Sequence, residues 1–167
     1  GLFSPILQDS SREYTDPTTT TYRKRLNHYL LTYADEARYR GYPVIHPLLH
    51  QFPRDPEAAR RIDEYMFGDE FLLSPTCTHA AKKSLYLPMG NWTDWNTGKT
   101  YPGRQTTEVD VPADGLVILI KSGSIIPLSG VEPSHPTELH YFPKNGGEFF
   151  IYEPDAGDYT QAHAGPA

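Results

Sequence analysis

The chain has 167 residues, enough for one ordinary domain or two small ones but too few for a complete (β/α)8 barrel, which needs roughly 250. Its apolar content of 38% and formal charge of −6 are those of a globular protein without a basic surface, and no apolar run is long enough to span a membrane. We therefore expect neither nucleic acid nor a membrane as a partner.

Proline, glycine and tyrosine are abundant, with 16, 13 and 12 copies, which indicates many short strands and turns. Tyrosine rings build aromatic cores and also pack against the C–H faces of sugars, so composition leaves both uses open. Cys77 is the only cysteine, which excludes a disulfide within the chain. The sequence predicts no localisation.

The first predicted element is a helix over residues 22–40, which follows a polar, turn-forming loop at residues 8–21. Gly41 stands where a glycine commonly ends a helix, and Arg38 and Arg40 complement the helix dipole in the last turn. The apolar residues of the helix recur at three- and four-residue spacing, at Leu26, Tyr29, Leu30, Tyr33, Ala34 and Ala37.

Residues 43–49 form a compact apolar run between prolines, which fits a buried strand of a parallel sheet. Asp55 and Pro56 then predict the N-cap and first turn of a short helix that runs to about residue 65. A helix followed by a buried strand is typical of α/β proteins. This pattern changes after residue 65, where we place a domain boundary.

From residue 67 onward the sequence predicts a β-sandwich. Turn signals at residues 96–99 and at Asp114-Gly115 predict two hairpins. A stretch rich in Gly, Pro and Ser at residues 129–136 indicates a linker. Short β-rich runs have the spacing of sandwich strands, at residues 71–73, 84–87, 106–111, 117–121 and 124–128, with two further strands at 139–143 and 147–153.

Four blocks in this order carry a family resemblance: residues 41–48 (GYPVIHPL), 66–75 (MFGDEFLLSP), 86–95 (YLPMGNWTDW) and 119–128 (LIKSGSIIPL). Together they resemble the C-terminal part of glycoside hydrolase family 31, the α-glucosidase and α-xylosidase family. The resemblance is collinear over nearly the whole chain.

The resemblance implies an α/β plus all-β fold in three parts. Residues 1–65 are the end of a TIM (β/α)8 barrel, residues 66–135 a proximal β-sandwich, and residues 136–167 the start of a distal β domain. Because this last sheet is begun but not finished, we expect residues 139–167 to be poorly ordered unless they pair with another chain.

The resemblance also implies a retaining α-glycoside hydrolase, whose two catalytic aspartates belong to barrel strands upstream of Gly1. We therefore expect no catalytic residue, no cofactor and no activity in this chain alone. The implied partners are the remainder of the same enzyme and an oligosaccharide or α-glycoside substrate. The alternative is a non-catalytic β-sandwich module that binds carbohydrate or a partner protein.

Residues 1–7 (GLFSPIL) resemble the family's GAFSPIF segment, which leads into a loop at the face of the barrel where active sites are built. The family's Arg-X-His that follows is replaced here by Gln8, Asp9 and Ser10. We predict that these three residues bind a sugar in an altered subsite, since amides and carboxylates hydrogen-bond hydroxyls. A solvated loop is the competing interpretation.

Other conspicuous residues are predicted to be structural. Asp69-Glu70 matches a block at the start of the sandwich and should brace a turn. His46, where the family usually has Arg, is expected to be buried and bonded to backbone. Core packing is also the expected role of three aromatic residues, Trp92, Trp95 and Tyr101.

Neither a metal site nor glycosylation is predicted. The histidines, cysteine and carboxylates have no metal-site spacing. Asn91-Trp92-Thr93 is a glycosylation sequon, but it lies inside a strand-turn block that resembles the family, which favours a structural role.

Overall fold

The computed structural model describes residues 25–78 and 80–128, together with the backbones of three strands farther along the chain. The described residues are mostly β-sheet with few helices. The helical elements are α1 (Asn27–Arg40), α2 (Leu48–Gln51) and a 3-10 turn (Ala58–Arg60). The strands are β1 (Ile45–Pro47), β2 (Tyr65–Phe67), β3 (Phe71–Pro75), β4 (Lys82–Leu87), β5 (Asn91–Asp94), β6 (Thr100–Pro102), β7 (Gln105–Asp110), β8 (Leu116–Lys121), β9 (Ile125–Leu128), β10 (Glu138–Tyr141), β11 (Gly147–Glu153) and β12 (Asp158–Ala164).

Six strands form the main sheet in the order β1-β2-β3-β8-β5-β6, and every neighbouring pair is antiparallel. β4 and β7 form a separate antiparallel ladder of six residue pairs. This is an all-β arrangement, and no (β/α)8 barrel is present among the described residues.

The main sheet is covered on both faces, which explains why β3 is buried over four consecutive residues, Phe71 to Ser74. Side chains alternate across a strand, so Phe71 and Leu73 join one core with α1 and β9. Leu72, between them, joins a second core with the β4–β7 ladder. The central strand therefore lies between two apolar layers.

Helix α1 ends at Gly41, as predicted. Gly41 has a left-handed φ of 69°, and its N–H donates to the carbonyl of Ala37 at 3.1 Å. Tyr29 and Tyr33 are one turn apart and buried, and the Tyr29 ring packs edge-on against Phe67 and Phe71. The predicted helix of residues 22–40 is confirmed where it falls on described residues.

The prediction of a parallel-sheet strand at residues 43–49 is wrong. β1 has only three residues, pairs antiparallel with β2 and lies at the edge of the main sheet. Its side chains alternate exposed, buried, exposed, with Ile45 outside and His46 inside. Pro47 has no N–H to donate to a second neighbour, so the chain leaves the edge and turns into α2.

The predicted helix from Asp55 to residue 65 is also wrong in length. Its cap forms, because the Asp55 carboxylate accepts from the N–H groups of Glu57 and Ala58 at 3.0 and 3.3 Å. Only the 3-10 turn follows, and Arg61 is already extended, with φ −82° and ψ 122°. Glu64 is buried and accepts from the Tyr86 N–H at 2.8 Å, which fixes the chain as it enters β2.

One predicted hairpin is confirmed and the other is not. β5 and β6 pair across residues 96–99, where the Asp94 carboxylate accepts from two loop N–H groups. The turn at Asp114-Gly115 also forms, and Gly115 has a φ of 74°. Its flanking strands do not pair, because β7 joins β4 whereas β8 joins β3 and β5. This turn is a corner between two sheets.

Strand pairing crosses both predicted domain boundaries. β1 precedes the predicted boundary and pairs in the main sheet with β2, which spans that boundary. Beyond residue 136, β10 pairs with β9, and β11 pairs with β12 over seven residues. These strands therefore find partners within the chain, contrary to the expectation that they need another one. The division at residues 65 and 135 stays a prediction, and the predicted linker at residues 129–136 lies outside the described residues.

Gly68→Ala should destabilise the protein much more than Gly98→Ala. Both glycines have positive φ, 58° and 70°, so both substitutions carry a backbone cost of about 1 kcal/mol. A Cβ on Gly68 would also lie 2.0 Å from the Tyr29 hydroxyl oxygen and 2.5 Å from the Tyr33 ring, whereas a Cβ on Gly98 meets nothing within 4 Å. We expect a loss of about 3 kcal/mol or more for Gly68→Ala, measured by urea unfolding. Equal losses for the two variants would contradict the close approach of α1 to this turn.

Candidate functional site

The predicted sugar-binding residues Gln8, Asp9 and Ser10 lie outside the described residues. Four features of the described part have the chemistry of a candidate site: an acidic turn, a histidine cluster, a group of aromatic rings and a surface groove.

The acidic turn is Gly68–Glu70, between β2 and β3. Tyr42 donates its hydroxyl to Asp69 Oδ1 at 2.6 Å, and the Asp69 N–H donates to the Tyr33 hydroxyl at 2.9 Å. These contacts connect α1 and the segment before β1 to the same turn. The prediction that Asp69 braces a turn is confirmed.

Glu70 Oε2 is the acceptor for two tyrosines of α1. The hydroxyls of Tyr29 and Tyr33 lie 2.6 and 2.7 Å from it, and the Tyr29 hydroxyl also lies 2.8 Å from the Phe67 carbonyl. Burial raises the pKa of Glu70 to about 7, with a further increase from Asp69, against the lowering effect of the tyrosine hydrogen bonds and Lys121. A raised pKa commonly indicates a functional carboxylate, but here the oxygen is already occupied by protein groups.

The hydrogen bonds around Glu70 are consistent with a protonated, neutral carboxyl group. The Tyr29 hydroxyl has one proton and two acceptors within reach. If Glu70 is protonated, it donates to Tyr29 while Tyr29 donates to Phe67, so every polar group has a partner. Burial, followed by the charge of Glu70, raises the pKa of Tyr29 well above 10, so its proton is retained. The arrangement gives Glu70 Oε2 a structural role.

His46 is buried and bonded to backbone, as predicted. Its Nδ1 lies 3.1 Å from the carbonyl of Pro43, so Nδ1 carries a proton and donates it. Burial lowers the pKa of His46, which keeps the ring neutral. Its ring packs against Tyr42 and His50 with centroids 5.3 and 4.9 Å away. No group of three or more metal-ligating side chains occurs among the described residues, so this pair does not extend to a metal centre there.

The aromatic residues pack in the core, as predicted. Trp92 is fully buried and donates its Nε1–H to the carbonyl of Pro88 at 3.0 Å. Tyr101 is buried in the same cluster. Trp95 packs against Phe71 in the other cluster, with ring centroids 5.9 Å apart. Trp92 and Tyr101 therefore do not form an open platform for sugars.

Sequence analysis missed a groove of about 530 Å³. We call it the Arg54–Arg104 groove, after the two arginines on its rim. Arg54 and Arg104 are exposed and form no salt bridge with the described residues. Three separate segments line the groove: residues 51–56, the end of β4, and the β6–β7 turn. The lining residues are Gln51, Phe52, Pro53, Arg54, Asp55, Pro56, Tyr86, Met89 and Arg104.

Asp55 and Tyr86 connect two walls of this groove. The Tyr86 hydroxyl donates to Asp55 Oδ2 at 2.6 Å. Removal from water, together with this bond, raises the pKa of Tyr86 to about 12, so the hydroxyl stays a donor at neutral pH. Asp55 Oδ1 holds the N–H groups of Glu57 and Ala58. Both oxygens of Asp55 are therefore used by the protein, and the open polar groups of the groove are the arginines.

No helix among the described residues is long and apolar enough to cross a membrane. Cys77 is exposed with a free thiol, and Asn91 of the sequon lies partly buried in β5; its glycosylation stays untested.

Comparison with known proteins identifies the family. Residues 41–126 match the glycosyl hydrolase family 31 C-terminal domain. This is about half of the chain, and the chain belongs to that family. The matched segment begins at Gly41, where α1 ends, and ends in β9.

Similar proteins act on α-linked sugars. The chain is 31% identical over 150 residues to alpha-glucosidase 2 of Bacillus thermoamyloliquefaciens, a match that covers 81% of this chain and 19% of the relative. It is 31% identical over 127 residues to an alpha-xylosidase of Saccharolobus solfataricus, covering 71% of this chain and 17% of that protein. The chain thus spans about a fifth of the length of such relatives.

A solved structure shares the fold. A family 31 dextranase of Flavobacterium johnsoniae, determined in complex with glucose, matches with a TM-score of 0.79 and 30% identity. The match covers 87% of this chain and 20% of the dextranase. The described arrangement of α1 and the sheets is therefore that of a C-terminal portion of larger family 31 enzymes.

Glu70→Gln should gain stability relative to wild type as the pH rises. The amide, like the protonated carboxyl group, has both a donor and an acceptor for the two tyrosines, but it never carries a charge. Since folding raises the pKa of Glu70 from 4.5 to about 7, the folded state holds a proton that the unfolded state has lost, and wild-type stability falls as the pH rises through this window. The free energy of unfolding of the variant, relative to that of wild type, should increase by on the order of 2 kcal/mol between about pH 5 and pH 8. Urea unfolding at each pH measures this difference.

Glu108→Gln is the matched control, because Glu108 is an exposed carboxylate of β7. Its difference from wild type should change little over the same pH range. A flat pH profile for Glu70→Gln would show that the Glu70 carboxylate is not held out of water by the tyrosines.

Proposed function

We propose that this chain is the C-terminal portion of a retaining α-glycoside hydrolase that acts on α-linked sugars. The observation that carries the proposal is its membership of family 31, together with relatives that are an α-glucosidase, an α-xylosidase and a dextranase. The remainder of the enzyme, including the barrel, is the expected partner of this chain. The substrate is an oligosaccharide or another α-glycoside.

A retaining mechanism needs two carboxylates about 5 to 5.5 Å apart, one as nucleophile and one as proton donor. Asp69 and Glu70 are engaged by tyrosine hydroxyls, and Glu64 is buried against the Tyr86 N–H. Each of these acids has a structural partner within the chain. We therefore place both catalytic carboxylates in the barrel, outside this chain, and expect this chain alone to be inactive.

This proposal keeps the predicted order of barrel, proximal β-sandwich and distal β domain, but it moves the first boundary to an earlier residue. We place the end of the barrel in the residues up to Arg40 and the start of the β domain at Gly41. The match to the family's C-terminal domain begins there, and β1 pairs with β2 inside the main sheet. Helix α1 then connects the barrel to the β domain, because Tyr29 and Tyr33 bind the Gly68–Glu70 turn.

The test uses the full-length protein and nitrophenyl α-glycosides of glucose and xylose. Proton NMR of the first product should show the α anomer, because double displacement retains configuration. Release of the β anomer first would contradict the mechanism. Absence of hydrolysis and of transfer with α-linked oligosaccharides would instead favour the non-catalytic module.

Gln8, Asp9 and Ser10 are proposed to bind the sugar beside the reacting bond. Asp9→Ala should lower kcat/KM by about tenfold to a hundredfold, since a charged hydrogen bond to a hydroxyl is lost. Asp110→Ala, which removes an exposed carboxylate of β7, is the control and should leave kcat/KM unchanged. An Asp9→Ala enzyme with wild-type kinetics on every active glycoside would indicate a solvated loop.

A further inference from the structure

The Arg54–Arg104 groove has an apolar lining that the core does not use. Met89 is 55% exposed, although a methionine of this size is usually buried. Pro53 and Pro56, which are both exposed, add further carbon surface to the same groove. Its volume of about 530 Å³ lies within the range of about 300 to 1,000 Å³ that is usual for small-molecule sites.

Two guanidinium groups border this apolar surface without a carboxylate partner among the described residues. Asp55 lies beside Arg54, but both of its oxygens are held by the Tyr86 hydroxyl and by backbone N–H groups. The Arg104 guanidinium has only the Met89 sulfur at 3.0 Å, which is a weak acceptor. Most donors of both arginines are therefore available to a ligand.

The backbone at Arg104 is strained. Arg104 is the one non-glycine with positive φ, 59°, among the described residues, a conformation that is strained in a residue with a Cβ. Its N–H is fixed to the carbonyl of Leu87 at 2.6 Å. A glycine would adopt the turn without this strain, which makes the Arg104 side chain a candidate for a role beyond the turn.

We propose that the Arg54–Arg104 groove binds a gluco-oligosaccharide. Sugars have C–H faces that pack on Met89, Pro53 and Pro56, and hydroxyl and ring oxygens that accept from the guanidinium groups of Arg54 and Arg104. This site is separate in sequence from Gln8, Asp9 and Ser10. The choice of an oligosaccharide as ligand rests on the proposed function.

Calorimetric titration of the full-length protein with maltotriose and, separately, with isomaltotriose tests the proposal. The titrations are made before and after the catalytic nucleophile is blocked with an epoxide glucosidase inhibitor. We expect one equivalent of trisaccharide to remain bound after the block. Arg54→Gln and Arg104→Gly should each weaken this binding by about tenfold or more. Arg60→Gln, with its side chain 78% exposed and outside the groove, is the matched control and should bind like wild type.

Arg104→Gly keeps the positive φ without strain, so its melting temperature should not fall and lost binding cannot be attributed to unfolding.

The proposal is overturned if both variants bind sugar after the block with wild-type affinity, or if neither sugar binds after the block. Tight competition by inorganic phosphate identifies an anion site instead. Lower thermal stability of Arg54→Gln with unchanged sugar affinity identifies an interface with the rest of the enzyme. If the epoxide does not react, the anomer of the first product still tests the proposed catalytic function, and titrations of the two groove variants on the unblocked protein still test the groove.

Discussion

The Gly68–Glu70 turn determines how the rest of the structure fits together. Tyr29 and Tyr33 bring their hydroxyls to Glu70 from α1, and they approach so closely that only a glycine fits at position 68. Burying a carboxylate is costly, and two tyrosine hydrogen bonds and partial protonation offset that cost. The same turn leads directly into β3, the strand buried between two cores. A helix, a sheet and a buried acid are therefore coupled at one turn of three residues.

This coupling explains why the two faces of the main sheet differ. One face packs on α1 through aromatic rings, and these include Tyr29, Phe67 and Phe71 at centroid distances of 5.1 and 5.8 Å. The other face packs on the β4–β7 ladder through aliphatic side chains and the fully buried Trp92. Residues 51–56 and the chain at the ends of this second layer line the Arg54–Arg104 groove. The groove thus lies beside the layer farther from α1 and is held by the Tyr86–Asp55 bond.

The sequence correctly predicted those elements that depend on contacts between residues close together in the chain. The spacing of apolar residues in α1, the glycine that ends it and the Asp94 turn before β6 are all visible in a short window of sequence. The segments at residues 43–49 and 55–65 were predicted wrongly because long-range contacts decide them. Glu64 reaches the Tyr86 N–H, 22 residues away, and β1 is specified by pairing with β2. The groove was missed for the same reason, since Arg54 and Arg104 are 50 residues apart and neither belongs to a motif.

Two acids in the described part, Glu64 and Glu70, have pKa values raised to about 7 by burial, which in an unknown enzyme would suggest catalysis. Geometry argues otherwise. Glu64 Oε1 accepts from the Tyr86 N–H at 2.8 Å and lies 4.0 Å from Arg61, whose guanidinium stacks 5.5 Å above the Tyr86 ring. Glu64 thus supports one wall of the groove from inside, as Glu70 supports α1. A glycosidase needs carboxylates open to both a sugar and water, so the raised pKa values of Glu64 and Glu70 identify structural supports, in agreement with the proposed placement of the reacting pair in the barrel.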